Sequence, residues 1–137
     1  EELTTQKAID LVAAAVERAG AAGAPISHSD KTAFCCCKEP SFIAALEETG
    51  RDQIALVGME THICVAQTAL ALADLGKLVH VVADGVCSRR ERDHDVALDR
   101  LRAAGVVVTT SEALMYEALG EAGTDEFKAV LRFVKES

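Results

Sequence analysis

The chain has 137 residues, of which 50% are hydrophobic, 26% charged and 4% aromatic, a length that suits one domain over residues 1–137. Half-apolar composition excludes a disordered chain, and two prolines with nine glycines exclude collagen-like and low-complexity classes. A net charge of −8 disfavours a phosphate backbone as partner, so no nucleic acid is expected, although a small anionic substrate stays open. Apolar runs are too short for a bilayer and none follows a basic N-terminal stretch, so no membrane partner is expected either.

In chain order, Leu3 to Ala22 reads as a helix, with Ile9, Val12, Val16 and Ala19 at helical spacing and Gly20 and Gly23 at its end. Ala24-Pro25-Ile26-Ser27 reads as a short extended piece. Pro40 to Glu48 is a second helix, opened by proline and closed by Gly50. Gln53 to Gly58 is a continuous apolar run, the signature of a strand covered on both faces. Ile63 to Leu75 then reads as helix and Leu78 to Asp84 as strand. Glu91 to Ala104 is a helix turning Val96, Leu98 and Leu101 inward, and Gly105 to Thr109 is a third strand. Thr109 and Glu112 have the spacing of a capping box for a helix ending near Gly120, and Thr124 caps a last helix, Asp125 to Lys135. Alternating strands and helices imply right-handed crossovers, hence an α/β fold: a three-layer, Rossmann-like α/β/α arrangement around a parallel sheet. The front of the chain is short of strands, so the sheet is expected to be incomplete there.

The five cysteines, Cys35, Cys36, Cys37, Cys64 and Cys87, are an odd number with three adjacent, which is no disulfide framework; free thiols point to a reducing, cytoplasmic setting. Their spacing with His28 fits no zinc pattern, and neither G-x-G-x-x-G nor a P-loop occurs, so no metal and no cofactor are expected.

In an open α/β sheet, ligands bind beyond the carboxyl ends of the strands. Three turns qualify, Gly58–Cys64, Asp84–Arg90 and Thr109–Glu112, and the first sets Cys64 at a helix start. Cys64 there reads two ways. Free N–H groups favour a thiolate, yet the dipole contributes only about 0.3–1 kcal/mol and full activation needs a nearby cation or base. The other reading is an inert buried cysteine.

The stretches GMETHICVAQTALAL and LVHVVADGVCSRRERDHDVALDRLRAAGVVVTTSEAL resemble the isochorismatase-like cysteine hydrolases, and within them the isochorismatase-domain-containing branch. The resemblance runs from about Asp30 to the C-terminus, and its most specific element is G-x-x-T-x-x-C-V at Gly58, Thr61, Cys64 and Val65. It implies the isochorismatase-like hydrolase fold and a cysteine nucleophile at Cys64. It also implies a catalytic lysine from a K-x-x-F element, here Lys31 to Phe34, 33 residues before Cys64. A lysine ammonium supplies the cation that the dipole argument lacks. The resemblance further implies a cis peptide near Met59-Glu60, an oxyanion hole from the backbone N–H groups of Glu60 and Cys64, and a pocket that includes Phe34 and Thr61; His62, two residues before Cys64, reads by its position as a further pocket residue. For Phe34 the competing reading is core packing, and for His62 a packed histidine at a helix start. Arg89, Arg90 and Arg92 read as attractors of an anionic substrate, as a solvated face or as a subunit contact. Cys35 to Cys37 read as replacements of small pocket or turn residues.

The family's remaining catalytic residue, an aspartate ending a first strand, has no counterpart: Asp10 lies in a helical pattern and Asp30 adjoins Lys31. The chain also opens on Glu1, not Met. Three expectations follow: a segment outside the given sequence, a reduced and inactive homologue, or a substitute carboxylate, with Asp30 and Glu60 first in line. The leading expectation is a hydrolase that cleaves a small amide-like (C–N) or related substrate through a thioester on Cys64, free of cofactors and homo-oligomeric. A non-catalytic oligomeric binding protein on the same scaffold is the alternative, and a flavodoxin-like carrier the weakest.

Overall fold

The computed structural model describes residues 17, 18 and 20–136. Most of the helix expected over Leu3 to Ala22 lies outside them; residues 17, 18, 20 and 21 are helical, and 24–30 form no regular element. A short 3-10 turn, Cys36–Lys38, leads into α1 (Pro40–Glu48). There follow β1 (Gln53–Met59), a π-helical turn (Thr61–Val65), α2 (Ala66–Asp74), β2 (Leu78–Cys87), α3 (Glu91–Ala103), β3 (Val107–Thr109), α4 (Ser111–Leu119) and α5 (Asp125–Glu136).

Among the described residues the sheet has three strands in the order β1-β2-β3, all parallel. Strand residues alternate between faces. Val79 and Val81 of β2 face a core built with Ala69 and Leu72 of α2 and Leu98 and Leu101 of α3; Leu72, Val81 and Leu101 have no exposed surface. On the opposite face α4 packs over β2, and α5 packs on α4 through an edge-to-face Tyr116–Phe127 pair at 6.2 Å. Helices on both faces of a parallel sheet give the expected three-layer α/β/α fold.

Four expectations need correction. β1 is not covered on both faces: Ile54 and Leu56 are half-buried, but Gln53, Ala55 and Val57 are exposed. The cause is that α4 lies over β2, so Gln53 and Ala55 border an open hollow of about 220 Å³ with His80, Leu114, Glu117 and Ala118. β2 does not end at Asp84. It pairs Val81 with Leu56, slips, and pairs again as Val86 with Gly58 and Cys87 with Met59. Gly58, at φ 112°, supplies the backbone turn beside that slip, which a side chain would resist. Val96 of α3 is 60% exposed and Ala97 takes the inward position. The capping box at Thr109 is displaced by one residue: Thr110 is the N-cap and accepts from the Ala113 N–H, which leaves Glu112 outside the box. Thr124 caps α5 as expected, accepting from the Phe127 N–H at 3.0 Å.

Candidate functional site

The carboxyl ends of β1 and β2 frame a cavity of about 400 Å³ lined by Phe34, Met59, Glu60, Ile63, Cys64, Cys87, Ser88 and Arg89. The late re-pairing of β2 brings Cys87 level with Met59 and so onto its wall. The peptide bond between Met59 and Glu60 is cis. The chain then turns at once into the π-helical Thr61–Val65 segment, where the N–H groups of Ile63 and Val65 both donate to the Glu60 carbonyl at 3.1 and 3.2 Å. Cys64 lies in this turn, half-buried, with its side chain on the cavity.

Lys31 arrives from a separate segment. Its Nζ lies 3.7 Å from Cys64 Sγ and donates to the carbonyls of Ala33 at 3.0 Å and Phe34 at 3.2 Å. An ammonium has three hydrogens. Two carbonyls and one sulfur account for all of them, which aims the third at the thiol. The bent stretch of chain from Lys31 to Phe34 therefore both holds the amine and presents Phe34, 60% exposed, at the cavity mouth.

Of the residues expected at a site, Lys31 and Cys64 are brought together, and Phe34, Glu60 and Cys64 line the cavity. Thr61 does not line it. It is fully buried, with its hydroxyl 2.9 Å from His94 Nδ1. His62 is also turned away from the lining: its Nδ1 lies 2.9 Å from Ser88 Oγ and its Nε2 3.9 Å from Asp93. Both are drawn aside because α3 enters immediately behind the turn and offers polar partners there. Among the described residues no carboxylate pairs with Lys31, and neither expected substitute does. The Glu60 carboxylate is engaged elsewhere, accepting from Arg89 Nε at 3.3 Å and from the Arg89 N–H at 3.2 Å.

Sequence reasoning missed Cys87, Ser88, Met59 and Ile63 as lining residues, and His94 as the partner of Thr61. Cys87 was hidden by ending β2 too early, whereas His94 gave no signal beyond its place in the first turns of α3. All five cysteines are free. Burial, and secondarily the Glu60 carboxylate, pushes the Cys87 thiol up; burial and then Cys35 push Cys37 up to about 11. No group of three or more metal-ligating side chains gathers among the described residues. Nor is any helix among them long and apolar enough to cross a membrane.

The fold and cavity define a parallel α/β protein with a cavity at the carboxyl ends of its strands, and a cysteine and a lysine in contact there. The isochorismatase domain matches residues 22–113, and the chain belongs to the isochorismatase family. Isochorismatase domain-containing protein 1 of Salmo salar is 38% identical over 107 residues, 78% of this chain and 38% of that protein. Among solved structures, a MAR1 ribonuclease from Caenorhabditis elegans superposes with a TM-score of 0.69 at 38% identity, covering 75% of this chain and 52% of that one. A nicotinamidase from Staphylococcus aureus gives a TM-score of 0.56 at 32% identity, covering 59% of this chain and 51% of the other. The chain thus spans well under half the length of the curated relative.

Proposed function

We propose that this chain carries the nucleophilic half of a cysteine hydrolase acting on a small amide-like (C–N) substrate. The observation that carries the reading is the 3.7 Å contact between Lys31 Nζ and Cys64 Sγ at the edge of a cavity large enough for a small molecule. The thiolate form of Cys64, beside the Lys31 amine, attacks the carbonyl carbon, and the backbone N–H groups of Glu60 and Cys64 receive the oxyanion. As the C–N bond breaks, Lys31 gives its proton to the leaving amine. The neutral lysine then takes a proton from the water that attacks the thioester. The acid is released and the thiolate is restored, so atoms and charges balance as amide plus water to carboxylate plus ammonium. Met59, Ile63 and Phe34 supply apolar walls for the acyl group.

No cofactor is needed for this cycle. A homo-oligomer is part of the proposal, with the exposed side chains of Val57 and Phe133 as apolar surface for it, and a reducing, cytoplasmic setting suits five free thiols. The test is alkylation of Cys64 by iodoacetamide near neutral pH, followed by peptide mass spectrometry, beside ammonia release from a panel of primary amides. Cys64 is expected to react about tenfold or more faster than an ordinary thiol and to lose that advantage in Lys31→Ala. A Cys64 that reacts at the ordinary rate, with no ammonia released, leaves a non-catalytic binding protein instead.

A further inference from the structure

Three consecutive side chains after β1 reach across to the segment 88–94 that leads into α3. Glu60 takes the backbone N–H and Nε of Arg89, Thr61 meets His94, and His62 meets Ser88. The first contact sits at solvent, with the Arg89 side chain 74% exposed, and the His62 side chain of the third is still 23% exposed. The middle contact differs. Thr61 has no exposed surface, so its hydroxyl has no water to replace the 2.9 Å contact with His94 Nδ1. A buried hydroxyl is held strongly to the one partner it has.

That hydroxyl begins the turn that carries Cys64 three residues later. The sulfur must meet an amine delivered by a different stretch of chain, Lys31. A small rotation of the turn would open that contact without disturbing the sheet. We propose that His94 is a positioning residue: by holding the Thr61 hydroxyl from the first turns of α3, it fixes the rotation of the Thr61–Val65 turn and keeps Cys64 Sγ against Lys31 Nζ. His94 is not on the cavity wall and acts only through Thr61. The proposal rests on the reading of Cys64 and Lys31 as the reactive pair, and its test separates the two.

Asparagine places a polar atom at the same δ position as His Nδ1 and can donate or accept, so it suits either tautomer. Glutamine moves that atom one bond further out, and leucine removes it. The Cys64 alkylation rate and the amide hydrogen exchange of residues 59–66 are measured in the wild-type chain, H94N, H94Q, H94L and K31A. H94N is expected within about twofold of wild type, and H94Q and H94L about tenfold or more slower, because a small misplacement of a reacting group carries such penalties. Exchange over 59–66 should quicken in H94Q and H94L while that of β2 holds. K31A should slow alkylation with exchange over 59–66 unchanged. If H94L does not fold, the H94N and H94Q pair decides. An H94Q chain that matches wild type in both readouts overturns the proposal, as does H94N behaving like H94Q. If wild-type Cys64 is no faster than a free thiol, the hydrolase reading falls. Exchange still judges His94: quicker in H94Q than in H94N upholds the link to the turn, and equal exchange overturns it.

Discussion

Glu60 grips Arg89 twice, through the backbone N–H at 3.2 Å and through Nε at 3.3 Å, and thereby ties the end of β1 to the loop leaving β2. The same carboxylate lies near the Cys87 thiol and helps to push its pKa up, second to burial. Glu60→Gln keeps the shape and removes the charge. Cys87 is then expected to alkylate faster at mildly alkaline pH, by less than about tenfold, because burial is the larger cause and remains. Site-resolved mass spectrometry over a pH series reads this directly. An unchanged Cys87 rate would leave burial as the whole cause.

Thiol order is a second expectation. Burial, then the Cys35 neighbour, pushes Cys37 up to about 11. At about pH 8 only about one part in a thousand of such a thiol is thiolate, the form that reacts. Cys37 should therefore remain unmodified after Cys64 is fully alkylated, and should catch up only as the pH approaches its own value. The check is the same peptide analysis at short and long exposure. Early modification of Cys37 would contradict the environment described for it.

Burial separates two aliphatic side chains of neighbouring helices. Leu72 of α2 has no exposed surface, whereas Val96 of α3 is 60% exposed. Leu72→Ala removes contacts that the close-packed core cannot fully refill and should cost about 2–5 kcal/mol. Val96→Ala touches little and should stay within about 0.5 kcal/mol. Urea denaturation of the two variants beside wild type checks the pair.

Periodicity and turn residues made the strand and helix order readable, because buried parallel strands and amphipathic helices each leave their own apolar spacing. The same signals failed where one side chain's direction depends on a distant neighbour. Val96 has the spacing of a core residue, yet Ala97 and Leu98 fill that face. The slip of β2 between its pairings with Leu56 and Gly58 has no local signature, so the wall position of Cys87 could not be read. At the site, Cys64 was marked by its place after β1, and Lys31 only by a resemblance, since 33 residues part them and no spacing rule joins such a pair. Thr61 enters the expected pocket through the motif and His62 through its place two residues before Cys64, and neither signal says which way a side chain turns. Their true partners lie on the approach to α3.

A last expectation concerns acid. The Ser111 hydroxyl beside Asp84, aided by the Ser111 N–H at 2.8 Å, holds the Asp84 carboxyl below the usual carboxylate range. Asp84 thereby fastens the start of α4 to the later half of β2. A carboxyl whose pKa is lower in the folded than in the unfolded chain stabilises the fold above its unfolded value, and that stabilisation is lost as the pH falls through the folded value. The unfolded reference here is 3.8. Wild type should therefore exceed Asp84→Asn in urea midpoint at about pH 6, and the gap should narrow below 3.8 as Asp84 itself takes up a proton. Because Asp84 is exposed, solvent screens the interaction and the gap is expected to be small. Ser111→Ala removes the larger of the two donors and should narrow the wild-type advantage in the same acid range. A gap that persists unchanged into acid would assign the loss in Asp84→Asn to something other than the carboxylate's charge.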